Sequence, residues 1–563
     1  MLSIQILELF FTLEPTAPHT IPHEGATENR FGRSLAWMED RVGVAASGTD
    51  AEEGSVRWYR HDPPTWVLDG YLKDDDGRFA VEFGASIATA GERVAVAMSG
   101  LNIDAKQAAG AVRVFERDGN LWTPVTMLSA APPIGKGEFG AAMIYDGDGL
   151  VIGAPGNDDW CPGQFDCGAV YRYDTAFAAV SPPLDPVPSL GGKVGMGRDI
   201  VRSGDILALG ASGYELPTGM AKIYTYRLDA GAWLGLEVID PTSILVEGGC
   251  DIAVDEQEGF GSALAMDGER LLVGVAGAQA AFVLRLDVDT WICEHELRPP
   301  ADDMALGFGR AVALYGRADK QVAFVGAPDA GDSQAGKLYY FRSPEPGVWE
   351  DSPGVVADDP ERDGFGSSIA VSSVYTELGV DYVAIADSPD DPNGSVVLYT
   401  ILASNGDACD QADECVSGVC EDAVCCDGGC PGACSHCGTG GQCEFADGQA
   451  CDANDDGCVG GFCVLDGSST GSGETTDESG DGETRGSSTL TSSDGETHVT
   501  STLTSSDGNT SGGAPTTASG TTSDGGVGFD PDVLPDGCNC SSRGSPAGWS
   551  LSLIGLLWLR RRR

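Results

Sequence analysis

The chain has 563 residues and a formal net charge of −53, with 33 lysines and arginines against 86 aspartates and glutamates. Phosphate recognition requires clustered lysine and arginine, so this balance argues against a nucleic-acid-binding protein. A surface this acidic is typical of a soluble extracellular protein, and binding of a basic partner is the alternative interpretation.

A short motif, Phe-Gly-x-Ser-Ile-Ala, occurs seven times at spacings of 48 to 64 residues. The fourth copy, which begins at Met196, reads Met-Gly-Arg-Asp-Ile-Val and departs most from the others. The copies begin at Phe31, Phe83, Phe139, Met196, Phe260, Phe308 and Phe365. Self-similarity at this period indicates a repeat architecture in which each repeat is one supersecondary unit.

The residue pattern within a repeat predicts four short β-strands per repeat. The motif is followed by a turn rich in glycine and aspartate, an apolar run, a variable loop and a β-branched or aromatic stretch. In five repeats the fourth element carries a tryptophan with an aliphatic residue six positions later: Trp66 and Leu72, Trp122 and Leu128, Trp233 and Ile239, Trp291 and Leu297, and Trp349 and Val355. No segment shows sustained apolar residues at helical spacing, which excludes a βαβ arrangement.

These features predict an all-β fold, a seven-bladed β-propeller over residues 1–402. The first two strands of each repeat are rich in glycine and alanine, so we expect them to lie nearest the central axis. The seventh repeat ends near Ile401 without a fourth strand. We expect the N-terminal segment Ile4–Leu13, with Leu7 and Leu13 six apart, to pair beside Ser395–Ile401 and close the ring.

Residues 31–400 resemble FG-GAP repeats, in the variant found in bacterial surface proteins and related to the propeller of integrin α subunits. In integrin-type blades, calcium lies in an Asp- and Asn-rich loop between the first two strands. Here that loop is a short turn, and Asp146 and Asp148 are the nearest approach to the ligand series. We expect ordinary hairpin turns and no cofactor, with calcium as the alternative.

The cysteines predict disulfides and an oxidising compartment. Cys161 and Cys167 bracket one loop, and Cys250 and Cys293 flank the fifth copy of the motif. Twelve more form a small module over residues 403–466: Cys409, Cys415, Cys420, Cys425, Cys426, Cys430, Cys434, Cys437, Cys443, Cys451, Cys458 and Cys463. With almost no aliphatic core there, six disulfides of open connectivity are expected to stabilise it.

Two metal sites are alternative interpretations of this module, with less support than disulfides. Cys434 and Cys437, with Cys430 and His436 nearby, are spaced as in some zinc sites. Asp452, Asn454 and Asp456 reproduce the start of a calcium loop, but its twelfth position is Cys463 instead of glutamate. A tight turn between disulfides is the simpler interpretation. The segment from Cys415 to Cys437 resembles a cysteine-rich module of myxobacterial exported proteins.

Residues 467–530 are mainly Gly, Ser, Thr, Asp and Glu and predict a disordered tether. Residues 531–563 then combine Cys538-Asn539-Cys540, an apolar segment at 547–559 and a final cluster, Arg560–Arg563. The apolar segment predicts a short hydrophobic helix, below the roughly 20 residues usually needed to span a bilayer.

This three-part order resembles the MYXO-CTERM sorting signal. The resemblance implies removal of the tail by a dedicated intramembrane sorting protease, with Cys538 lipidated and retained at the cell surface or outer membrane. The alternative is a tail anchor that stays in the membrane. The N-terminus lacks early lysine or arginine, and Glu8 and Glu14 interrupt its apolar run, so no signal peptide is evident. We therefore expect the export signal to be encoded upstream of Met1.

For function, the sequence favours a non-enzymatic recognition or adhesion protein. It contains no G-x-S-x-G, H-E-x-x-H or phosphate-binding glycine motif, and we assign no catalytic residue. The variable loops would present a polar binding face: Asn157–Gly168, Gly213–Gly219, Asp329–Gly336 and Asp387–Gly394. An extracellular glycan or another surface protein is the expected partner. The alternatives are a hydrolase or lyase acting on extracellular polysaccharide through acidic pairs such as Asp158 and Asp159, and a passive surface-layer protein.

Substitution Cys538→Ser tests the tail. If the tail is a sorting signal, the variant accumulates unprocessed in the membrane, because the processing step has lost its recognition residue. Mass spectrometry of the wild-type surface fraction should find a C-terminus near Cys538. Peptides that contain Arg560–Arg563 in that fraction would instead establish a permanent tail anchor.

Overall fold

The computed structural model describes most of residues 12–402 and short pieces of residues 415–463. The described residues are 12–13, 19–22, 30–47, 54–62, 65–74, 82–119, 121–147, 149–157, 167–184, 195–212, 221–241, 250, 259–301, 303–317, 320–331, 334–350, 353–356, 363–372, 381–387, 394–402, 415, 420–421, 424–425, 435–437, 443–445, 458–459 and 462–463. Nearly all regular structure in them is β-strand.

Two short strands precede seven antiparallel sheets: β1 (Thr12–Leu13) and β2 (His19–Pro22). Blade 1 contains β3 (Phe31–Met38), β4 (Arg41–Ala46), β5 (Ser55–Asp62) and β6 (Thr65–Lys73). Blade 2 contains β7 (Phe83–Ala90), β8 (Arg93–Met98), β9 (Ala111–Asp118) and β10 (Leu121–Leu128). Blade 3 contains β11 (Met143–Tyr145), β12 (Gly149–Ala154), β13 (Ala169–Asp174) and β14 (Ala179–Leu184).

The remaining blades repeat this order. Blade 4 contains β15 (Met196–Ser203), β16 (Ile206–Ala211), β17 (Lys222–Asp229) and β18 (Ala232–Ile239). Blade 5 contains β19 (Ala263–Asp267), β20 (Arg270–Val275), β21 (Ala280–Asp287) and β22 (Thr290–Leu297). Blade 6 contains β23 (Ala311–Arg317), β24 (Lys320–Ala327), β25 (Lys337–Ser343) and β26 (Gly354–Val356). Blade 7 contains β27 (Ser368–Val371), β28 (Asp381–Ala386) and β29 (Ser395–Leu402).

The sheets form a closed ring, which confirms the seven-bladed β-propeller. Within blades 1 to 6, four strands pair antiparallel in chain order. The first strands of successive blades contact one another around a common axis, and β27 of the last blade contacts β3 of the first. Strands β4, β12, β16 and β28 are buried along their whole length. Their apolar sequences follow from this position, because neighbouring blades cover both faces of each sheet.

The repeated Phe-Gly pair forms the joint between blades. All six motif phenylalanines and Met196 are at most 1% exposed. Gly84 has a φ of +94°, and a Cβ there would lie 2.8 Å from the Cβ of Ala45 in the preceding blade. Gly32 has a φ of +88°, and its Cβ would lie 2.6 Å from that of Ala386. Only glycine combines this left-handed backbone with such a close approach.

The fourth motif position adds a polar contact to the joint. Ser34 Oγ donates a hydrogen bond to the Gly84 carbonyl oxygen at 2.8 Å, and Ser86 Oγ donates to that of Gly140 at 2.7 Å. Each serine therefore holds the motif glycine of the next blade. The repeat is visible in the sequence because the same joint is built at successive blade boundaries.

The periodic tryptophans, all in the segment that carries the fourth strand, lie across the same boundaries. Each packs on a residue of the preceding blade, through the indole N–H in three cases and through ring contact in two. The pairs are Trp233 with Asp146 at 3.4 Å, Trp291 with Thr225 at 3.2 Å, Trp349 with Glu294 at 3.2 Å, Trp122 with Trp58 at 5.7 Å between centroids, and Trp66 with Tyr382 at 5.4 Å between centroids. The tryptophan spacing thus reflects inter-blade packing.

N-terminal strands complete blade 7. Residues Thr12 and Leu13 of β1 pair with the end of β29, and β2 pairs antiparallel with Ser395–Leu398. Ile21 of β2 is 3% exposed and belongs to the core between blades 7 and 1. The sequence predicts the closing strand at Ile4–Leu13; residues 4–11 lie outside the described residues, and β2 provides most of the described pairing.

Cys250 and Cys293 form a disulfide with a Cα–Cα distance of 6.1 Å. Cys167, Cys415 and Cys420 are also disulfide-bonded, whereas Cys161 lies outside the described residues. In the cysteine-rich region the structure describes three two-stranded pieces: β30 (Cys420–Glu421) with β31 (Val424–Cys425), β32 (Ser435–Cys437) with β33 (Cys443–Phe445), and β34 (Cys458–Val459) with β35 (Phe462–Cys463).

Among the described residues no helix is long and apolar enough to cross a membrane. The linker and the sorting tail, with Cys538, lie outside them.

Substitution Gly84→Ala tests the joint. We expect it to lower the free energy of unfolding by about 2–4 kcal/mol, because it adds backbone strain and a clash with Ala45. Gly91→Ala is a matched control: Gly91 has a φ of +52°, but nothing lies within 4 Å of its added Cβ. Chemical denaturation of both variants measures the difference. Equal losses would show that close approach between blades does not limit stability.

Candidate functional site

Strand direction sorts the loops onto two faces. In each blade the first strand begins, the second strand ends and the third begins at the same end of the sheet. The connections between blades and the variable loops therefore share one face, here named the loop face. The short turns joining first to second and third to fourth strands lie on the opposite turn face. Variable loops on a rigid scaffold are common carriers of binding residues.

The blade 2 loop, Leu101–Gly110, is described throughout and has a fixed backbone. Ile103 and Lys106 exchange two backbone hydrogen bonds, at 3.1 and 2.8 Å. Asn102 Oδ1 accepts a hydrogen bond from the backbone N–H of Ala108 at 2.8 Å. Asn102, Asp104 and Lys106 are exposed, whereas Leu101 is buried at the base. The loop thus presents polar side chains from an ordered frame.

Neighbouring segments hold this loop on its other side. The backbone N–H of Lys136 donates to the Gln107 carbonyl at 2.6 Å, and that of Glu138 donates to Ala108 at 3.1 Å. The backbone N–H of Gly156, after β12, donates to Gly137 at 3.3 Å. Loops of blades 2 and 3 are therefore joined into one surface, here named the blade 2–3 platform. A surface that is ordered before binding loses less entropy when a ligand binds.

Charged residues mark the joints on this face. The residue before each motif phenylalanine or Met196 has positive φ: Arg30, Glu82, Glu138, Gly195, Gly259, Gly307 and Gly364. The charged members form ion pairs between blades, Arg30 with Glu82 at 3.3 Å and Arg198 with Glu138 at 3.5 Å. Ser99 Oγ donates to the other carboxylate oxygen of Glu82 at 2.8 Å. Such partly exposed pairs contribute little energy but orient the side chains around the joint.

The sequence motifs did not predict this set of residues. The available signal was glycine at this position in four repeats and a charged residue in three. Glycine marks a left-handed backbone, so a charged residue at the equivalent place occupies a conformation that costs about 1–3 kcal/mol.

Of the loops singled out from the sequence, residues 157–168, 329–336 and 387–394 are described in part, and residues 213–219 are not described. Asn157 is fully buried and its amide donates to the Tyr171 hydroxyl at 2.6 Å, anchoring the start of the blade 3 loop. Asp387 accepts hydrogen bonds from the backbone N–H and hydroxyl of Ser395. Asp329 pairs with Arg310 at 3.2 Å. Residues 158–166, 213–220 and 388–393 lie outside the described residues.

Asp146, which the sequence named as a weak calcium candidate, is engaged in contacts between blades 3 and 4. Its side chain is buried at 5% exposure, accepts the Trp233 indole hydrogen bond and lies 3.9 Å from Arg172 Nη2. This carboxylate anchors blade 4 to blade 3. Among the described residues no cluster of three His, Cys, Asp or Glu side chains could hold a metal ion. Asp148, Asp452, Asn454 and Asp456 lie outside those residues.

Asp199 replaces the motif serine in blade 4. Its carboxylate accepts hydrogen bonds from the backbone N–H groups of Leu264 at 2.7 Å and Ile200 at 2.8 Å. Burial raises the pKa of Asp199 from 3.8 to about 6, although the two hydrogen bonds favour the charged form. The joint between blades 4 and 5 therefore contains a titratable group where Ser34 and Ser86 provide hydroxyls.

Comparison with known proteins identifies a fold resemblance only. Neither a known protein family nor a curated protein matches this sequence. Solved structures with a similar fold include one titled "Structure of U3-55K", which is 10% identical, with a TM-score of 0.44. The match covers 68% of this chain and 100% of that one. A likeness at this level carries no information about ligand or activity.

Substitution Asp199→Asn tests the titration. The folded-state pKa lies above the ordinary value, so the folded protein binds the proton more tightly than the unfolded chain. The stabilisation is present below about pH 4 and is lost as pH rises through about 6. Relative to the variant, wild-type protein should lose ~1–3 kcal/mol between pH 4 and 7.

Urea denaturation at several pH values measures this difference. Asp118→Asn, at the exposed end of β9, removes one carboxylate outside the joint and is the control. If Asp199→Asn keeps the pH dependence of the wild-type protein, Asp199 is ionised without cost and the assignment is wrong.

Proposed function

We propose that this protein is an exported, surface-anchored recognition or adhesion protein that binds without chemical conversion of its ligand. The partner is an extracellular glycan or another surface protein, bound at the loop face. The propeller acts as a rigid support for the loops. The cysteine-rich module and the tether, residues 403–530, hold the propeller at a distance from the cell surface. The tail at 531–563 directs attachment through Cys538.

The blade 2–3 platform carries this proposal. Its exposed tip combines an amide, a carboxylate and an ammonium group in Asn102, Asp104 and Lys106, on a backbone fixed by hydrogen bonds. Glycans and protein surfaces present hydroxyl, amide and charged groups that such a set can hydrogen-bond. Ordered loops reduce the entropy lost on contact, which suits recognition.

The sequence outside the propeller supports display at a surface. A cysteine-dense module persists only under oxidising conditions. The tether that follows has the composition of a flexible coil, with an r.m.s. reach of ~40–50 Å. A rigid head on such a tether samples a large volume around its attachment point.

A matched pair of charge reversals tests the binding face. Full-length protein is screened on glycan arrays and against solubilised surface proteins, in the presence of EDTA. Asp104→Lys, on the platform, should lower binding by at least about fivefold, since a rim charge changes association and its salt dependence. Asp118→Lys makes the same change in net charge on the turn face and should bind as wild type does.

Recovery of the ligand separates binding from catalysis. An intact ligand after long incubation fits the proposal. Release of shortened sugars would make the protein a polysaccharide hydrolase or lyase. Equal weakening by both charge reversals would remove the loop face as the site.

A further inference from the structure

The blade 2–3 platform carries two lysines in a chain that has few. The sequence contains seven lysines among 563 residues, and its formal net charge is −53. Lys106 lies in the blade 2 loop and Lys136 in the connection from blade 2 to blade 3, and both are exposed. Two of the seven lysines therefore meet on the same part of the loop face.

Backbone contacts place these lysines side by side. The backbone N–H of Lys136 donates to the carbonyl oxygen of Gln107, the residue after Lys106, at 2.6 Å. The Lys106 side chain follows the same connection, since its Cδ lies 3.8 Å from the position that a Cβ on Gly135 would take. The two side chains thus begin at neighbouring points of one surface. Like charges so placed repel each other, and an anion bound beside both offsets that repulsion.

Neither lysine forms an ion pair with a residue that the structure describes. Glu138, two residues after Lys136, is directed to Arg198 at 3.5 Å. Lysines elsewhere in the propeller pair with aspartate: Lys222 with Asp240 at 2.6 Å and Lys337 with Asp303 at 2.7 Å. Both ammonium groups of the platform are therefore available to a ligand.

The groups around the lysines favour a glycan over a protein as that ligand. Asn102 Oδ1 is engaged by the Ala108 N–H, which leaves the amide nitrogen of Asn102 to donate outward. Asp104 and Gln107 are exposed beside it. In the described parts of residues 101–110 and 130–157, no large aliphatic or aromatic side chain is exposed. Protein interfaces are enriched in aromatic residues and methionine and depleted of lysine, whereas sugar hydroxyls bond well to amides and carboxylates.

We propose that the platform binds an anionic polysaccharide, with its carboxylate or sulfate groups on Lys106 and Lys136 and its hydroxyls on Asn102, Asp104 and Gln107. This inference rests on the proposed function and names the ligand class of its binding face. An ammonium group is a point charge without a required fork geometry, so carboxylate and sulfate both fit. The Debye length at physiological ionic strength is about 8 Å, so these local charges outweigh distant acidic residues.

Isothermal titration of full-length protein with polygalacturonate, dextran sulfate and neutral dextran tests the ligand class. EDTA is present throughout, because divalent cations could otherwise bridge an acidic polymer to an acidic protein. Wild-type protein should bind the two anionic polymers and not dextran, and the tighter of the two identifies the anionic group. Binding should weaken as salt rises, since salt screens exposed charges.

The double variant Lys106→Gln and Lys136→Gln removes both charges and keeps polar side chains. It should bind the anionic polymers at least about tenfold more weakly, with a smaller dependence on salt. Arg285→Gln with Lys320→Gln is the matched control, because it makes the same change in net charge at the turn-face ends of blades 5 and 6. The control should bind as wild type does, and circular dichroism establishes that each variant is folded.

Asp104→Lys separates this inference from the proposed function. It should still lower binding, because a hydrogen bond to a charged acceptor contributes more than an added exposed charge. Absence of binding to both anionic polymers, or equal binding by wild type and the double lysine variant, would overturn the anionic ligand. A neutral ligand weakened by Asp104→Lys alone would overturn it while the loop-face function stands. A protein ligand weakened by the double lysine variant would overturn the glycan assignment in the same way.

Discussion

The left-handed glycine of each Phe-Gly pair is the constraint on which the ring depends. A Cβ at Gly84 or Gly140 would come within 2.9 Å of the Cβ of an alanine in the second strand of the preceding blade. Two backbones therefore meet at a distance that no other residue allows, and the adjacent phenylalanine fills the space beside them. Small residues in the second strands, such as Ala45 and Ala97, are the other half of the same contact. This joint fixes how each blade sits on the one before it, and repetition of a fixed angle closes the circle.

Much of the architecture could be predicted because the joint is local in sequence and its left-handed glycine recurs at every boundary. The motif, the small residues of the second strands and the periodic tryptophans all take part in the contact between neighbouring blades.

The closing strand of blade 7 was harder to predict from the sequence. The sequence predicts Ile4–Leu13: Thr12 and Leu13 pair with the end of β29, and residues 4–11 lie outside the described residues. Strand β2 at His19–Pro22, which supplies most of the described pairing, was not predicted, because an outer strand is buried on one side only and one well-placed side chain, Ile21, suffices.

The sites were less predictable, for a physical reason. Loop residues carry no constraint from the joint, so their contacts follow from the folded geometry alone. The hydrogen bonds from Lys136 and Glu138 to the blade 2 loop join residues about thirty positions apart through backbone atoms, which leave no side-chain signature. A cavity of about 660 Å³ near the axis is lined mainly by the fifth to seventh residues of the repeat on the first strands of five blades. No stretch of sequence contains it, and each contributing residue resembles an ordinary strand residue.

Blade 4 departs furthest from the repeat, and its contacts show how the joint accommodates the changes. In blade 4 the motif phenylalanine becomes Met196, the serine becomes Asp199, and the seventh position becomes Arg202. At that seventh position the other blades have Trp37, Thr89, Tyr145, Met266, Leu314 and Val371, none of them charged. The joint tolerates these changes because Met196 remains fully buried and Asp199 accepts two backbone hydrogen bonds. Arg202 is held at the turn face by the Gly204 carbonyl and the Trp233 ring, so its charge lies outside the joint.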